Sequence, residues 1–321
     1  MKISVDGGAL NQKNNQRFGT AVFSENLIKS LQVYDNQNIY HIYTFQNLKP
    51  KIFWMKGRVS IEELRENKDI FLAVNQALPI YTSGKIISFC HGLSYHFYPQ
   101  YYSKKDRARL NKQLNEMLKR SDKIIVSSQK IKSELMTINK SVIKKIIVLP
   151  FGIPFDMENK KIEIQKEKYF IFVANNQKIK NVDFVINCFN RSKLFDKNHK
   201  LFLIGDWKER ENIDQGIISL GNVSRKKLRK LYQRATALLT SSFYESFNFP
   251  VLEASSLGCP VIGLKSAVIP ELKPYVNLST NLKGFIENMR KINIKPNTNS
   301  IRKLHAKFNW EKYVNNLVKL Y

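Results

Sequence analysis

Residues 241–262 run SSFYESFNFPVLEASSLGCPVI. A strand-like run, ALLTSS (237–242), leads into this stretch, and another, PVIGL (260–264), closes it. Pro250 suits the first position of a helix, where its missing N–H would have lacked a partner anyway. Asn248 or Phe249 caps that helix, and Asn248 is the better capping type. Gly258 is placed to end it in a left-handed conformation, and Pro260 prevents continuation. The stretch therefore reads as strand, irregular loop, short helix, turn, strand. In an open parallel sheet such a loop lies outside the carboxyl end of a strand, where ligands bind. The helix start adds N–H groups and the positive end of a dipole, suited to a diphosphate. Glu245 in the loop and Glu253 in the first turn would both face that crevice and accept hydrogen bonds from sugar or ribose hydroxyls. Taken singly, Glu253 reads as an ordinary first-turn glutamate and Glu245 as a solvated loop residue. Together, in this frame, they favour a site.

The same rhythm extends in both directions. In the first half, strand-like runs occur at 2–6, 39–45, 69–74, 85–90, 123–128 and 144–150, with helical patterns at about 22–31 and 104–120 between them. In the second half, strands fit 169–174, 200–205, 216–221, 237–242 and 260–264, and helices fit 182–191, 224–234 and 250–257. Near-continuous apolar strands alternating with helices imply parallel sheets covered on both faces, hence an α/β chain of two doubly wound domains. FGIPF (151–155) and the polar segment up to Glu167 read as the linker. FNWEKYVNNLVKLY (308–321) reads as a terminal helix.

Composition narrows the function classes. The 321 residues carry 53 Lys/Arg and 26 Asp/Glu, a net charge of +27. Residues 1–150 hold 24 Lys/Arg against 11 Asp/Glu, so the excess is not confined to a tail. Such a charge attracts polyanions, anionic lipid or phosphorylated substrates, but it also follows from a Lys-, Asn- and Ile-rich composition. Helix-turn-helix, zinc-finger and RNP-like signatures are lacking, which argues against nucleic acid as the partner. No apolar run reaches the roughly 18–20 residues of a membrane span, and the amino terminus lacks a signal-peptide core. A cytoplasmic protein is expected. The Lys104–Lys123 region, eight Lys/Arg beside Leu110, Leu114, Met117 and Leu118, reads either as a peripheral contact with an anionic membrane surface or as a solvated helix with its stripe in the core. Cys90, Cys188 and Cys259 sit far apart in apolar runs and read as buried, reduced thiols.

ESFNFPVLE (245–253), with the following ASSLGCPVIG and IPEL (269–272), resembles the paired-glutamate segment of the retaining glycosyltransferases of family 4 (glycosyl transferases group 1). FVANNQKIKNVDFVINCF (172–189) resembles that family's first strand, basic loop and helix of the second domain. ISLGNVSRKKLRKLYQRATALLTSS (218–242) resembles the strand that meets the nucleotide base and the helix after it. In the first half, NNQRFGTAVFSENLIKSL (14–31) and IISFCHGLSYHFYPQYYS (86–103) resemble the glycine-containing loop and the histidine segment, more loosely. The resemblance implies a GT-B fold, with two Rossmann-like doubly wound parallel-sheet domains facing a central cleft. An acceptor-side domain would span 1–155 and a nucleotide-sugar-binding domain 156–304, with a helix from about 305 to 321 packing back on the first.

On this resemblance Glu245, His91 and Lys180 are the catalytic candidates. Glu245 would contact the sugar, Glu253 the ribose and Lys180 the donor phosphates. Gly19, Lys178, Asn175, Gly221, Val223, Asn248, Phe249, Val251 and Leu252 would complete the donor site. The chain departs from the family pattern at Asn175, where many members carry arginine, and at Ala174 and Gly92, where they carry glycine and aspartate. Lys178 is placed to supply the charge that Asn175 lacks. The implied reaction is retaining transfer of a hexose-type sugar from a nucleoside diphosphate sugar to a glycan or lipid-linked acceptor hydroxyl, in cell-surface polysaccharide or glycoconjugate synthesis. No cofactor is required beyond the donor. No acidic pair of DxD type stands at a strand end, so no metal is expected either. Rival readings are a sugar-nucleotide epimerase on the same scaffold, a glycoside hydrolase using Glu245 and Glu253 as its carboxylate pair, and a nucleic-acid-binding protein exploiting the charge.

Overall fold

A computed structural model describes residues 1–11, 19–48, 53–158, 165–207 and 215–321. The chain forms two compact units, Met1–Gly152 with Trp310–Tyr321, and Ile153–Asn309. In the first, strands β1 (Lys2–Asp6), β2 (Ile39–Tyr43), β3 (Ile70–Ala73), β4 (Lys85–Cys90), β5 (Lys123–Val126) and β6 (Ile146–Val148) form one parallel sheet in the order β2-β1-β3-β4-β5-β6. In the second, β7 (Tyr169–Val173), β8 (Lys200–Ile204), β9 (Ile217–Gly221), β10 (Ala237–Thr240), β11 (Val261–Leu264) and β12 (Asn277–Ser279) run parallel in the order β12-β11-β10-β7-β8-β9. The two doubly wound sheets inferred from the alternating pattern are both present. β12 was not anticipated, because NLS at a sheet edge has no apolar run to mark it.

The central strands explain the near-continuous apolar runs. Ile70–Ala73 and Ala237–Thr240 are buried at every residue, since helices cover both faces. In the second unit Phe170, Phe172, Leu201, Leu203, Leu239 and Ile262 pack with Val185, Phe189 and Phe285 from the covering helices. Each sheet has one point where the winding reverses: between β1 and β3 in the first, and between β7 and β10 in the second.

The last helix, Trp310–Val318, belongs to the first unit, whereas the helix before it, Thr298–Lys307, belongs to the second. The returning segment thus begins at Trp310 and not near 305. Trp310 is 1% exposed and packs with Phe23 and Tyr313, and the Phe151 ring lies tilted against Phe23 with centroids 4.1 Å apart. Gly152 is required beneath the indole, because a Cβ there would lie 2.6 Å from the ring. Phe151 and Ile153 are accordingly buried, so the FGIPF stretch is packed chain and not loose tether. The rest of the expected linker, at 159–164, lies outside the described residues. Trp310→Ala should cost about 3–5 kcal/mol, read as a lowered melting temperature of the whole chain; an unchanged melt would show that the aromatic cluster does not hold the terminal helix.

Helix Lys104–Arg120 starts at Ser103, whose hydroxyl accepts the Asp106 N–H. Leu114, Met117 and Leu118 are buried. The apolar stripe proposed for a lipid surface is therefore in the core, and the helix offers its charged side to the outside. Among the described residues no helix is long and apolar enough to cross a membrane. Cys90, Cys188 and Cys259 are free and buried, and burial pushes each thiol up to about 12, as expected of inert structural cysteines.

Candidate donor site at the switch point of the second sheet

β7 and β10 are neighbours that send the chain in opposite directions, so the loops after them, 174–181 and 241–248, open side by side. Three sets of bonds lock these loops together. The Ser241 hydroxyl donates to the Asn181 carbonyl at 2.8 Å, Asn181 Nδ2 donates to the Ser241 carbonyl at 3.2 Å, and the Phe243 N–H donates to the Ile179 carbonyl at 2.9 Å. Asn181 sits in the left-handed region (φ 55°), which turns the chain out of the short helix Lys178–Lys180 into helix Val182–Ser192. The lock carries Lys180 to Glu245. Lys180 Nζ lies 2.8 Å from Glu245 Oε1, and the Ser242 hydroxyl donates to the same oxygen at 2.7 Å. Both side chains are mostly covered, at 22% and 13% exposure. Two catalytic candidates 65 residues apart in sequence thus form one ion pair at the sheet's carboxyl edge.

Helix Phe249–Ser256 follows directly, with Asn248 as its cap. Asn248 adopts φ 71° and is buried. Its Oδ1 accepts the Val251 N–H, and its Nδ2 donates to Thr240 Oγ1 at 3.2 Å and to the Ala267 carbonyl at 2.9 Å. The side chain is therefore engaged in shaping the loop. Phe249, Val251 and Leu252 are likewise buried, the last two completely. These three side chains thus pack in the core, and the Asn248 cap takes the Val251 N–H. At the other end Gly258 (φ 72°) closes a Schellman turn, with Gly258 N–H to Ser255 O and Cys259 N–H to Ala254 O.

Glu253 also turns inward. It is 2% exposed, accepting from Arg225 Nη1 at 2.8 Å and from the Tyr232 hydroxyl at 3.3 Å. Arg225 in turn makes a forked pair with Asp156, at 2.7 and 2.8 Å. Burial pushes the Glu253 carboxyl above its ordinary value, and the Arg225 guanidinium is the chief opposing influence. Glu245 and Glu253 thus have different surroundings: one pairs with a lysine at the loop mouth, the other is held inside by an arginine. Arg225, Asp156, Ser241 and Ser242 were missed from sequence. One signal was present: Arg225, Lys226 and Lys227 open a helix, where cations oppose the dipole. Three cations at the positive end call for nearby carboxylates.

The remaining candidates are placed as follows. Lys178 is exposed on the same loop as Lys180. Asn175 follows β7, and its side-chain oxygen is buried with no hydrogen-bond partner among the described residues. Gly221 (φ 62°) ends β9 with open space where a Cβ would stand, and Val223 is half-buried beyond it. In the first unit Gly19 opens helix Gly19–Tyr34; the loop before it lies outside the described residues. His91 follows β4 with its Nε2–H on the Val74 carbonyl at 2.6 Å and its ring 5.1 Å from Phe23, and burial pushes its pKa down. His91 Nε2 is thus committed to the fold.

A loop at the switch point of a parallel α/β sheet is where folds of this class bind their ligands. Residues 155–273, all in the second unit, match the family model of glycosyl transferases group 1. The O-antigen chain mannosyltransferase B of Escherichia coli is 26% identical over 232 residues, 65% of this chain and 60% of that protein. The chain thus spans less than two thirds of the curated relatives it matches. A sucrose-phosphate synthase from Thermosynechococcus elongatus superposes with a TM-score of 0.74 at 14% identity, over 100% of this chain and 98% of that one. HepE of Anabaena, solved with UDP-glucose, superposes at 0.68 and 13% identity, over 100% and 99%. The fold is GT-B.

Proposed function

We propose that the chain is a retaining, metal-independent glycosyltransferase of family 4 that moves a hexose-type sugar from a nucleoside diphosphate donor to a glycan or lipid-linked acceptor hydroxyl. The observation that carries this reading is the Lys180–Glu245 pair, beside Ser242 and ahead of helix Phe249–Ser256, at the switch point of the second sheet. The family match over 155–273 and the mannosyltransferase relative support it. Lys180 and Lys178 meet the diphosphate, Glu245 the sugar hydroxyls, and Glu253, fixed by Arg225, the ribose. Asn175 supplies a further acceptor. In the reaction the anomeric carbon–phosphate oxygen bond breaks, the acceptor oxygen bonds to the same face, and its proton passes to the departing diphosphate. Fixed cations stabilise the charge that develops on that leaving group. The hydrolase alternative is disfavoured because Glu253 is buried and paired, and so is not placed as a second working carboxyl.

A binding screen of nucleoside diphosphate hexoses tests this reading, with Glu253→Ala as control. One donor should bind and the substitution should abolish binding; binding that survives Glu253→Ala, or an absence of binding by every donor, would refute the assignment. Chelation by EDTA should leave transfer unchanged, and a lost rate restored by Mg²⁺ would refute metal independence.

A further inference from the structure

Asp156 stands in the short helical turn Phe155–Met157, just past the start of the second unit. The backbone on both sides of it is pinned. Ile153 and Met157 are buried, the Met157 N–H donates to the Pro154 carbonyl at 2.8 Å, and the Ile153 N–H donates to the Phe308 carbonyl at 3.0 Å. Arg229 Nη1 and the Ser256 hydroxyl donate to the carbonyls of Asp156 and Met157 respectively, each at 3.5 Å. Ser256 belongs to the same helix as Glu253, so the turn is tied to the element that carries the glutamate. From this fixed backbone Asp156 takes one edge of the Arg225 guanidinium, accepting from Nε at 2.7 Å and from Nη2 at 2.8 Å. Such a bidentate pair fixes the guanidinium plane, and Nη1 is left to donate to Glu253 Oε1 at 2.8 Å. The Tyr232 hydroxyl donates to Oε2 of the same carboxylate at 3.3 Å.

We infer that Asp156 is a positioning residue for the donor: through Arg225 it holds the Glu253 carboxylate in the orientation that reads the ribose hydroxyls. It thereby sets the preference for a ribonucleotide over one without those hydroxyls. The inference rests on the ribose role of Glu253 proposed above and adds the residue that enforces it. Charge balance separates orientation from neutralisation. Arg225 and Glu253 already cancel each other, so the second carboxylate adds a negative charge that the buried glutamate does not need. The Asp156 side chain is 46% exposed against 3% for Glu253, and an ion pair that open to water adds little stability. What Asp156 supplies is geometry. An arginine stem has several rotatable bonds, and the fork removes that freedom before the donor arrives. A carboxylate offers about four acceptor sites, and one protein donor meets each Glu253 oxygen here. A site built to accept from substrate hydroxyls rejects the analogue lacking them, because its acceptors are then left unpaired.

The test is calorimetric titration of the full chain with the donor that the screen returns, beginning with UDP-glucose and GDP-mannose, beside the dideoxyribose counterpart of each. The parent should prefer the ribonucleotide. Asp156→Asn should weaken that donor by about tenfold, as loss of one hydrogen bond to a charged group does, and leave the dideoxy counterpart unchanged. Asp156→Glu, which keeps a forked anion, should restore most of the preference. A thermal melt of each variant should move little, given the exposure of the side chain. Equal weakening of both nucleotides overturns the inference, because it would show that Asp156 only supports the fold. An unchanged preference in Asp156→Asn overturns it as well. Glu253→Gln distinguishes the two levels. If that variant loses the preference while Asp156→Asn keeps it, Glu253 reads the ribose and Asp156 takes no part. If Glu253→Gln keeps the preference, or the parent shows none, the ribose role of Glu253 fails and the inference goes with it.

Discussion

Replacing Arg225 with alanine should destabilise the protein by about 3–5 kcal/mol, the usual cost of stranding a buried charge. Glu253 is the stranded group: 2% exposed, with Tyr232 its remaining neighbour donor at 3.3 Å. The melting temperature should fall by on the order of 10 °C for a unit of this size. The loss should also depend on pH in a defined direction. Burial already pushes the Glu253 carboxyl up, and without the guanidinium nothing comparable opposes it. A carboxyl whose folded pKa lies above its unfolded value contributes stability below the unfolded value and loses it as pH rises. The Arg225→Ala protein should therefore weaken progressively as pH rises from the ordinary carboxylate range toward neutrality. Adding Glu253→Gln should remove both the pH dependence and much of the penalty. Thermal melts across that range check it; a pH-independent loss, or no rescue by the glutamine, would mean that Arg225 acts through Asp156 alone.

The second large effect falls on activity. Lys180→Ala should lower kcat/KM for sugar transfer by about 10²–10³-fold, as removal of one fixed group facing a developing charge does elsewhere. Glu245→Gln should also be costly. Because Lys180 and Glu245 share one ion pair at 2.8 Å, the double substitution should lose much less than the product of the single effects. The melting temperature of either single variant should change little, since the pair sits at a loop mouth and the loop-to-loop bonds of Ser241, Asn181 and Phe243 remain. A Lys180→Ala enzyme within a few-fold of the parent would remove Lys180 from the chemistry.

How much of this was legible differs from residue to residue. The strand-loop-helix frame of 241–262 was readable because each signal is local: Asn248 as cap, Gly258 as a left-handed stop, Pro260 as a breaker. The neighbourhood of Lys180 and Glu245 was readable only through the topology that alternating elements imply, since both follow strands that flank the switch point. Which of the side chains of Phe249, Val251 and Leu252 enter the core was not readable. A short helix between two buried strands must give side chains to the core, and spacing does not say which. Arg225 and Asp156 were invisible for a related reason: Arg225 meets Glu253, and Asp156 meets Arg225, across long sequence separations, and only the three cations opening that helix hinted at a nearby anion. The apolar stripe of 104–120 was ambiguous between lipid and core until its neighbours were known.

By itself the sequence determined the layered α/β plan, the carboxyl-edge loop with its helix, and the inert state of three cysteines, because periodicity, capping and burial of apolar runs are local properties of the chain. The tertiary structure alone decided the fate of the two glutamates. Glu245 and Glu253 have seven residues between them and look alike on paper. One meets Lys180 and Ser242 at a loop mouth; the other is drawn inside, where the Arg225 guanidinium and the Tyr232 hydroxyl from the preceding helix make its charge tolerable. That difference comes from dielectric surroundings and partners brought from afar, which no spacing encodes.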